Sequence, residues 1–332
     1  MGDELNRDVH PDYPVSWQAA ALNGLLRGTM KPMTSILLRN TTGMTVASRV
    51  MGLGERVPGI LPKHVTIEQE RFGACSGEWV RAGDGMDEGK VLLYFHGGAY
   101  FLCSAATHRP ITWRLSLTAG RPVLSLDYRQ GPVHSLAESL SDALAAYECL
   151  LDRGYAPEDI LLAGDSAGGH LTLASLLALR DRGMPLPAAG VCLSPWTDLS
   201  SSRRRVNHWS DPMLPAGRVD WLARRWTDGL DPLDPLVSPV YGDYTGIPPL
   251  MIVTGSTEVL RDEGHRVALS ARENGVPVTY EEWRRMPHVF PILADLLPEA
   301  RMVFKHISRF FDAVESAGRA GTAVRSESEA AA

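Results

Sequence analysis

Ile160-Leu161-Leu162-Ala163, running into Gly164-Asp165-Ser166-Ala167-Gly168-Gly169 and on through Ala167–Leu179, decides the reading of this chain. A short continuous apolar run reads as a strand covered on both faces of a sheet. The stretch after it has helical patterning. Between them stands G-x-S-x-G, in the strand–turn–helix setting that a nucleophile elbow requires. Small residues flank Ser166 because a sharp turn leaves no space for bulk. Its hydroxyl is then exposed at a helix N-terminus, where backbone N–H groups can stabilise an oxyanion.

Outward from this turn, strand-like and helix-like segments alternate from about Val65 to Phe310. Expected strands are Val65–Phe72, Val91–Phe95, Val123–Tyr128, Ile160–Gly164, Gly190–Ser194, Leu250–Gly255 and Val278–Arg285. Expected helices are Thr107–Ala119, Ser135–Arg153, Ala167–Arg182, Asp262–Asn274 and one from Pro298 to about Val314. That spacing predicts an α/β fold, with a mostly parallel central sheet flanked by helices. Two regions break the rhythm. Residues 1–60 carry helical patterns (Trp17–Leu26, Met30–Leu38) before any strand, and about 200–228 is rich in Pro, Asp, Arg and Trp. Both are expected to form a helical cap over residues 61–316, and 317–332 is expected to be a disordered tail.

A second chemical signal is His96-Gly97-Gly98-Ala99, directly after Val91–Phe95. Glycines there let the backbone approach a substrate carbonyl, and His96 is expected to orient the loop. A serine needs a base to take its proton and an acid to orient that base, in chain order Ser, acid, His. Of ten histidines, His288 lies just past the last strand and before the final helix, where the base belongs. The turn after Leu250–Gly255 offers Glu258, Asp262 and Glu263. Glu258 comes first, whereas Asp262 and Glu263 also read as partners of a helix dipole.

Composition bounds the rest. The 332 residues carry 33 basic and 39 acidic side chains, net charge −6, without the basic face of a nucleic-acid binder. No apolar stretch is long enough for a membrane span, and the acidic start shows no secretory signal, so a cytoplasmic location is expected. Cys75, Cys103, Cys149 and Cys192 lack metal-binding spacing and read as reduced thiols; no metal or cofactor is expected.

Taken together, the motifs resemble the hormone-sensitive-lipase family of α/β-hydrolases, the bacterial family IV esterases, over about residues 60–315. The resemblance rests on the two glycine-rich loops and on Asp127-Tyr128-Arg129, Ser194-Pro195-Trp196-Thr197-Asp198-Leu199, Glu258 through Gly264 and His288-Val289-Phe290. Thr107-His108-Arg109 points to an acetyl-hydrolase-like branch. The resemblance implies Ser166 as nucleophile, His288 as base and Glu258 as acid, where the family usually has Asp. It implies an oxyanion hole at Gly97, Gly98, Ala99 and Ala167, in which Gly97 shapes the loop and the other three donate N–H groups. His96, Asp165, Gly164 and Gly168 support it. Ala99 stands for a usual glycine and is expected at negative φ. Gln130-Gly131-Pro132-Val133-His134-Ser135 departs from the family's Leu-Ala-Pro-Glu, which puts the local loop in question.

These readings imply a serine hydrolase acting on carboxylic esters, with small acyl groups such as acetyl favoured and an apolar small molecule as substrate. A natural-product tailoring enzyme on the same scaffold (deacetylase, lactone hydrolase, or non-hydrolytic cyclase or dehydratase) is the alternative, and a non-catalytic binder the remaining one. A homodimer through the final strand or helix is a further expectation.

Overall fold

The computed structural model describes residues 5–54, 61–200 and 207–330. Its core is a nine-stranded sheet, counted over the described residues. The strands are β1 (Arg7–Val9), β2 (Val65–Phe72), β3 (Cys75–Ala82), β4 (Val91–Phe95), β5 (Val123–Asp127), β6 (Ile160–Asp165), β7 (Ala189–Leu193), β8 (Leu250–Gly255) and β9 (Val278–Trp283). Their spatial order is β1-β9-β8-β7-β6-β4-β5-β3-β2. Pairing is parallel except where β3 joins β5 and β2 joins β3. The helices are α1 (Trp17–Gly28), α2 (Met30–Leu37), α3 (Thr41–Gly54), α4 (Arg109–Ala119), α5 (Leu136–Asp152), α6 (Ala167–Asp181), α7 (Ala216–Trp226), α8 (Arg261–Glu273) and α9 (Pro298–Ala330).

The continuous apolar strands serve both faces at once. In β4, Leu93 and Phe95 join the core under α5 and α6, whereas Leu92 and Tyr94 join the core under α4 and α9. α1 and α5 each begin at a side-chain cap. Ser135 caps α5 through a reciprocal bond with Glu138, and Ser16 caps α1 by accepting the Ala19 N–H.

Two strands have no clear sequence signal. β3, with Gly77, Glu78 and Arg81, lacks the apolar alternation of an ordinary strand. It persists because Arg109 meets the buried Glu78 carboxylate with two hydrogen bonds, 2.6 and 2.8 Å. β1 is three residues long and pairs with Thr279–Glu281. It covers the outer edge of β9, so the final strand expected as a dimer edge already has neighbours on both sides.

The final helix also differs from expectation. Instead of giving way to a disordered tail at 317, α9 continues to Ala330. Ala and Glu favour helix, and Glu315 pairs with Arg319 one turn on, at 3.2 Å. Parts of the expected cap, residues 1–4, 55–60 and 201–206, lie outside the described residues. So do residues 331–332 of the expected tail. Among the described residues no helix is long and apolar enough to cross a membrane.

Sheet register positions the chemistry. Phe95 stands beside Gly164, Asp165 beside Leu193, Leu193 beside Val253, and Gly255 beside Trp283. The loops that follow β4, β6, β7, β8 and β9 therefore leave the same carboxyl edge, the usual ligand edge of an open α/β sheet.

Candidate active site

Ser166 lies at the junction of β6 and α6 with φ 52° and ψ −115°, a backbone state that costs an L-residue about 1–3 kcal/mol. Three bonds hold it there. Its N–H donates to Leu193 O at 2.9 Å, and its carbonyl accepts from Trp196 N–H and His170 N–H, each at 3.0 Å. The flanking glycines are a steric necessity. A Cβ on Gly164 would stand 2.3 Å from Gly168 O, and one on Gly168 would stand 1.9 Å from Phe95 O.

His288 Nε2 lies 2.9 Å from Ser166 Oγ, and His288 Nδ1 lies 2.9 Å from Glu258 Oε2. Glu258 is wholly buried. Its second oxygen, Oε1, accepts the Ser194 hydroxyl at 2.7 Å and the Gly255 N–H. Ser194 Oγ in turn accepts the N–H of Val289 at 3.1 Å, which ties the carboxylate to the loop carrying the imidazole. Burial pushes the Glu258 carboxyl upward, against its bonds from His288, Gly255 and Ser194. For His288, burial opposes the charged form, but the hydrogen bond and charge of Glu258 lift its pKa above the ordinary imidazole value. Such a line of hydroxyl, imidazole and carboxylate can move a proton off the serine as it attacks.

Glu263, another candidate acid, is used elsewhere. It is buried and accepts the N–H groups of Thr197 and Asp198 at 2.6 and 2.7 Å, so it fixes the loop after β7. His265 packs on Tyr280, and His306 bonds Glu281 Oε1 at 2.8 Å. Among the described residues none of the four cysteines is in a disulfide.

Asp165 holds the glycine-rich loop against the elbow. Its Oδ1 accepts Gly97 N–H at 2.9 Å and Tyr94 OH at 2.6 Å, while Oδ2 faces His108 Nε2 at 3.3 Å. Gly97 N–H is therefore engaged. The N–H groups of Gly98, Ala99 and Ala167 make no hydrogen bond among the described residues. Buried His96 sets its Nδ1 2.7 Å from Gly97 O and stacks on Tyr128. Burial pulls its pKa to about 3, so the ring is neutral.

One sequence expectation fails here. Ala99 has φ 53°, and Tyr100 φ 63°, rather than negative values. The left-handed pair turns the loop sharply after Gly98, and other contacts hold it. Trp226 Nε1 at the end of α7 donates to Ala99 O at 3.0 Å, and Tyr100 OH meets His170 Nδ1 at 2.6 Å. The Trp226 ring also lies against Gly131, leaving no space there for a side chain. The atypical 130–135 loop is thus packed on α7. Between them opens a cleft of about 620 Å³ lined by Val133, Trp221, Arg224, Trp226 and Leu230. Trp209, by contrast, faces solvent. Neither Ser194 nor Trp226 was singled out by sequence reasoning. Ser194 sat inside a quoted motif, and Trp226 stood only among the tryptophans of the expected cap segment.

A family profile described as α/β-hydrolase fold matches residues 92–292. An acetyl-hydrolase of Streptomyces hygroscopicus is 43% identical over 240 residues, covering 72% of this chain and 80% of that protein. A crystal structure of an esterase from the bacterial hormone-sensitive lipase family matches with TM-score 0.79 and 34% identity, covering 92% of this chain and 99% of that one. The chain belongs to this α/β-hydrolase family of esterases. The hormone-sensitive-lipase-like esterases are carboxylic ester hydrolases, and this enzyme shares their fold almost end to end. EstE5, in crystals soaked with p-nitrophenyl butyrate, superposes with TM-score 0.82 at 33% identity, covering 90% of this chain and 99% of its own.

Proposed function

We propose that this esterase cleaves small acyl esters, acetyl esters foremost, through an acyl-enzyme formed on Ser166. The observation that carries the reading is the unbroken Ser166–His288–Glu258 line, with both contacts at 2.9 Å. Ser166 Oγ attacks the ester carbonyl as His288 Nε2 takes its proton. Glu258 holds the imidazole with Nδ1–H toward itself and stabilises the charge that forms on the ring. The N–H groups of Gly98, Ala99 and Ala167 donate to the developing oxyanion, while Gly97 shapes the loop through its bond to Asp165. The protonated His288 then passes its proton to the leaving alkoxide. A water deprotonated by the same imidazole releases the acid and regenerates the hydroxyl.

The acetyl preference is supported by similarity to the Streptomyces acetyl-hydrolase. The departure of residues 130–135 from the family's usual loop favours a second reading, in which the alcohol portion is a bulky natural product. A panel of p-nitrophenyl esters of increasing acyl length, run beside acetylated natural products, separates the two. Ser166→Ala should lower kcat on p-nitrophenyl acetate by about 10⁴–10⁶ and abolish labelling by a fluorophosphonate probe. More than a tenth of the activity surviving in that variant would sink the mechanism.

A further inference from the structure

The outward face of α1 is apolar where a surface helix is normally polar, and α2 and α3 each expose large apolar side chains beside it. On α1 the exposed positions Trp17, Ala20, Ala21, Gly24 and Leu25 follow one helical stripe, with Ala19 and Leu26 buried opposite. Trp17 is 77% exposed. α2 also exposes Met33 and Ile36, and α3 exposes Val46 and Val50, with Ile36 and Val50 each 64% exposed. Arg27 donates to Ser210 O at 2.9 Å and Lys31 to Asp211 O at 2.8 Å. Those bonds place Trp209, 82% exposed, beside the same helices.

Charge distinguishes the occupant. Between Trp17 and Gly54 there are four cationic residues, Arg27, Lys31, Arg39 and Arg49, and no Asp or Glu. This stretch sits in a chain of net charge −6, so the remainder carries −10. A second copy offering the same face would bring cation against cation. A layer of anionic headgroups over acyl chains complements both the charges and the apolar side chains, and exposed Trp is suited to that boundary.

We propose that the α1–α3 face, with Trp209 at its margin, docks the enzyme on an anionic lipid surface. The face also reaches the acid-bearing turn. Asn207 Nδ2 donates to Glu258 O at 2.8 Å, and Asp211 Oδ2 accepts the Val259 N–H at 2.9 Å. The docked orientation thus places the loop that carries Glu258 close behind the lipid-facing surface.

The test is co-sedimentation of the full chain with vesicles of phosphatidylcholine, with and without phosphatidylglycerol, at low and high salt. Expected are binding to the anionic vesicles, weakening with salt, and at least about tenfold weaker binding to neutral ones. Trp17→Ser/Ile36→Ser should lose binding to both kinds by about tenfold or more, while its turnover of soluble p-nitrophenyl acetate stays at the parent level. Arg39→Glu/Arg49→Glu should lose only the preference for anionic vesicles. Ser166→Ala should bind as the parent does, so docking and catalysis fail separately. The proposal is overturned if the parent ignores vesicles or if the apolar variant binds equally well. It is equally overturned if the parent forms dimers that Trp17→Ser dissolves, since the face is then a self-interface.

Discussion

Replacing Glu258 by Gln changes almost nothing in shape and should nearly abolish turnover, because of how the second carboxylate oxygen is held. Oε1 receives the fixed backbone N–H of Gly255 as well as the Ser194 hydroxyl at 2.7 Å. Ser194 can rotate its hydroxyl, but the Gly255 N–H can only donate. The glutamine amide must therefore turn its oxygen to Gly255 and its NH₂ to His288 Nδ1, now 2.9 Å away. Nδ1 then has to accept, which moves the ring proton to Nε2, the atom facing Ser166 Oγ. In that tautomer the imidazole cannot take the serine proton. The loss expected from a wrongly protonated base is about 10⁴ in kcat, or about 5.4 kcal/mol. Steady-state kinetics on p-nitrophenyl acetate read it, with thermal melting to establish that the variant is folded. Glu258→Asp gives the complementary defect. It keeps the charge but withdraws the carboxylate by about 1.5 Å, beyond hydrogen-bond reach of Nδ1. A folded Glu258→Gln enzyme retaining more than a tenth of parental kcat would refute the orienting role and leave Glu258 a structural carboxylate.

Three further outcomes follow from the same contacts. As the proposed base His288 must be neutral, and its pKa is raised, so kcat/KM should fall on acidification through a value above the ordinary imidazole pKa of about 6.5. In Glu258→Gln, which lacks the bond and charge that raise it, any residual activity should show that limb at lower pH. Trp226→Phe removes the donor to Ala99 O, and kcat should drop about fivefold or more at little change in KM; a rise in KM alone would make Trp226 a pocket wall. Ser194→Ala strips a donor from a buried carboxylate and should lower stability by about 1–3 kcal/mol in denaturant titration.

Much of the scaffold could be read along the chain because its signals are local. β4 and β8 fall on the expected residues, since continuous apolar runs bounded by turns have few other uses. β2 does so as an edge strand that alternates Val65 and Ile67 with polar residues. β1 and β3 escaped for opposite reasons. β1 is too short to have a pattern, and β3 carries Glu78, a charge that only its Arg109 partner explains. The end of α9 escaped because weak periodicity resembles a tail even where Ala and Glu sustain a helix.

The sequence by itself marked the groups proposed to do the chemistry. The glycines around Ser166 and after His96, and the order of Ser166, Glu258 and His288, are local necessities of a sharp turn and a fixed topology. Tertiary structure decided how those groups are held. The second carboxylate oxygen of Glu258 is bound by Ser194, 64 positions away. The left-handed Ala99 is secured by Trp226, 127 positions away, and Gly97 by Asp165, 68 positions away. Periodicity and spacing record what a residue requires of its neighbours in the chain. Partners that distant meet only when parallel strands bring their carboxyl ends to one edge, so no local pattern encodes them.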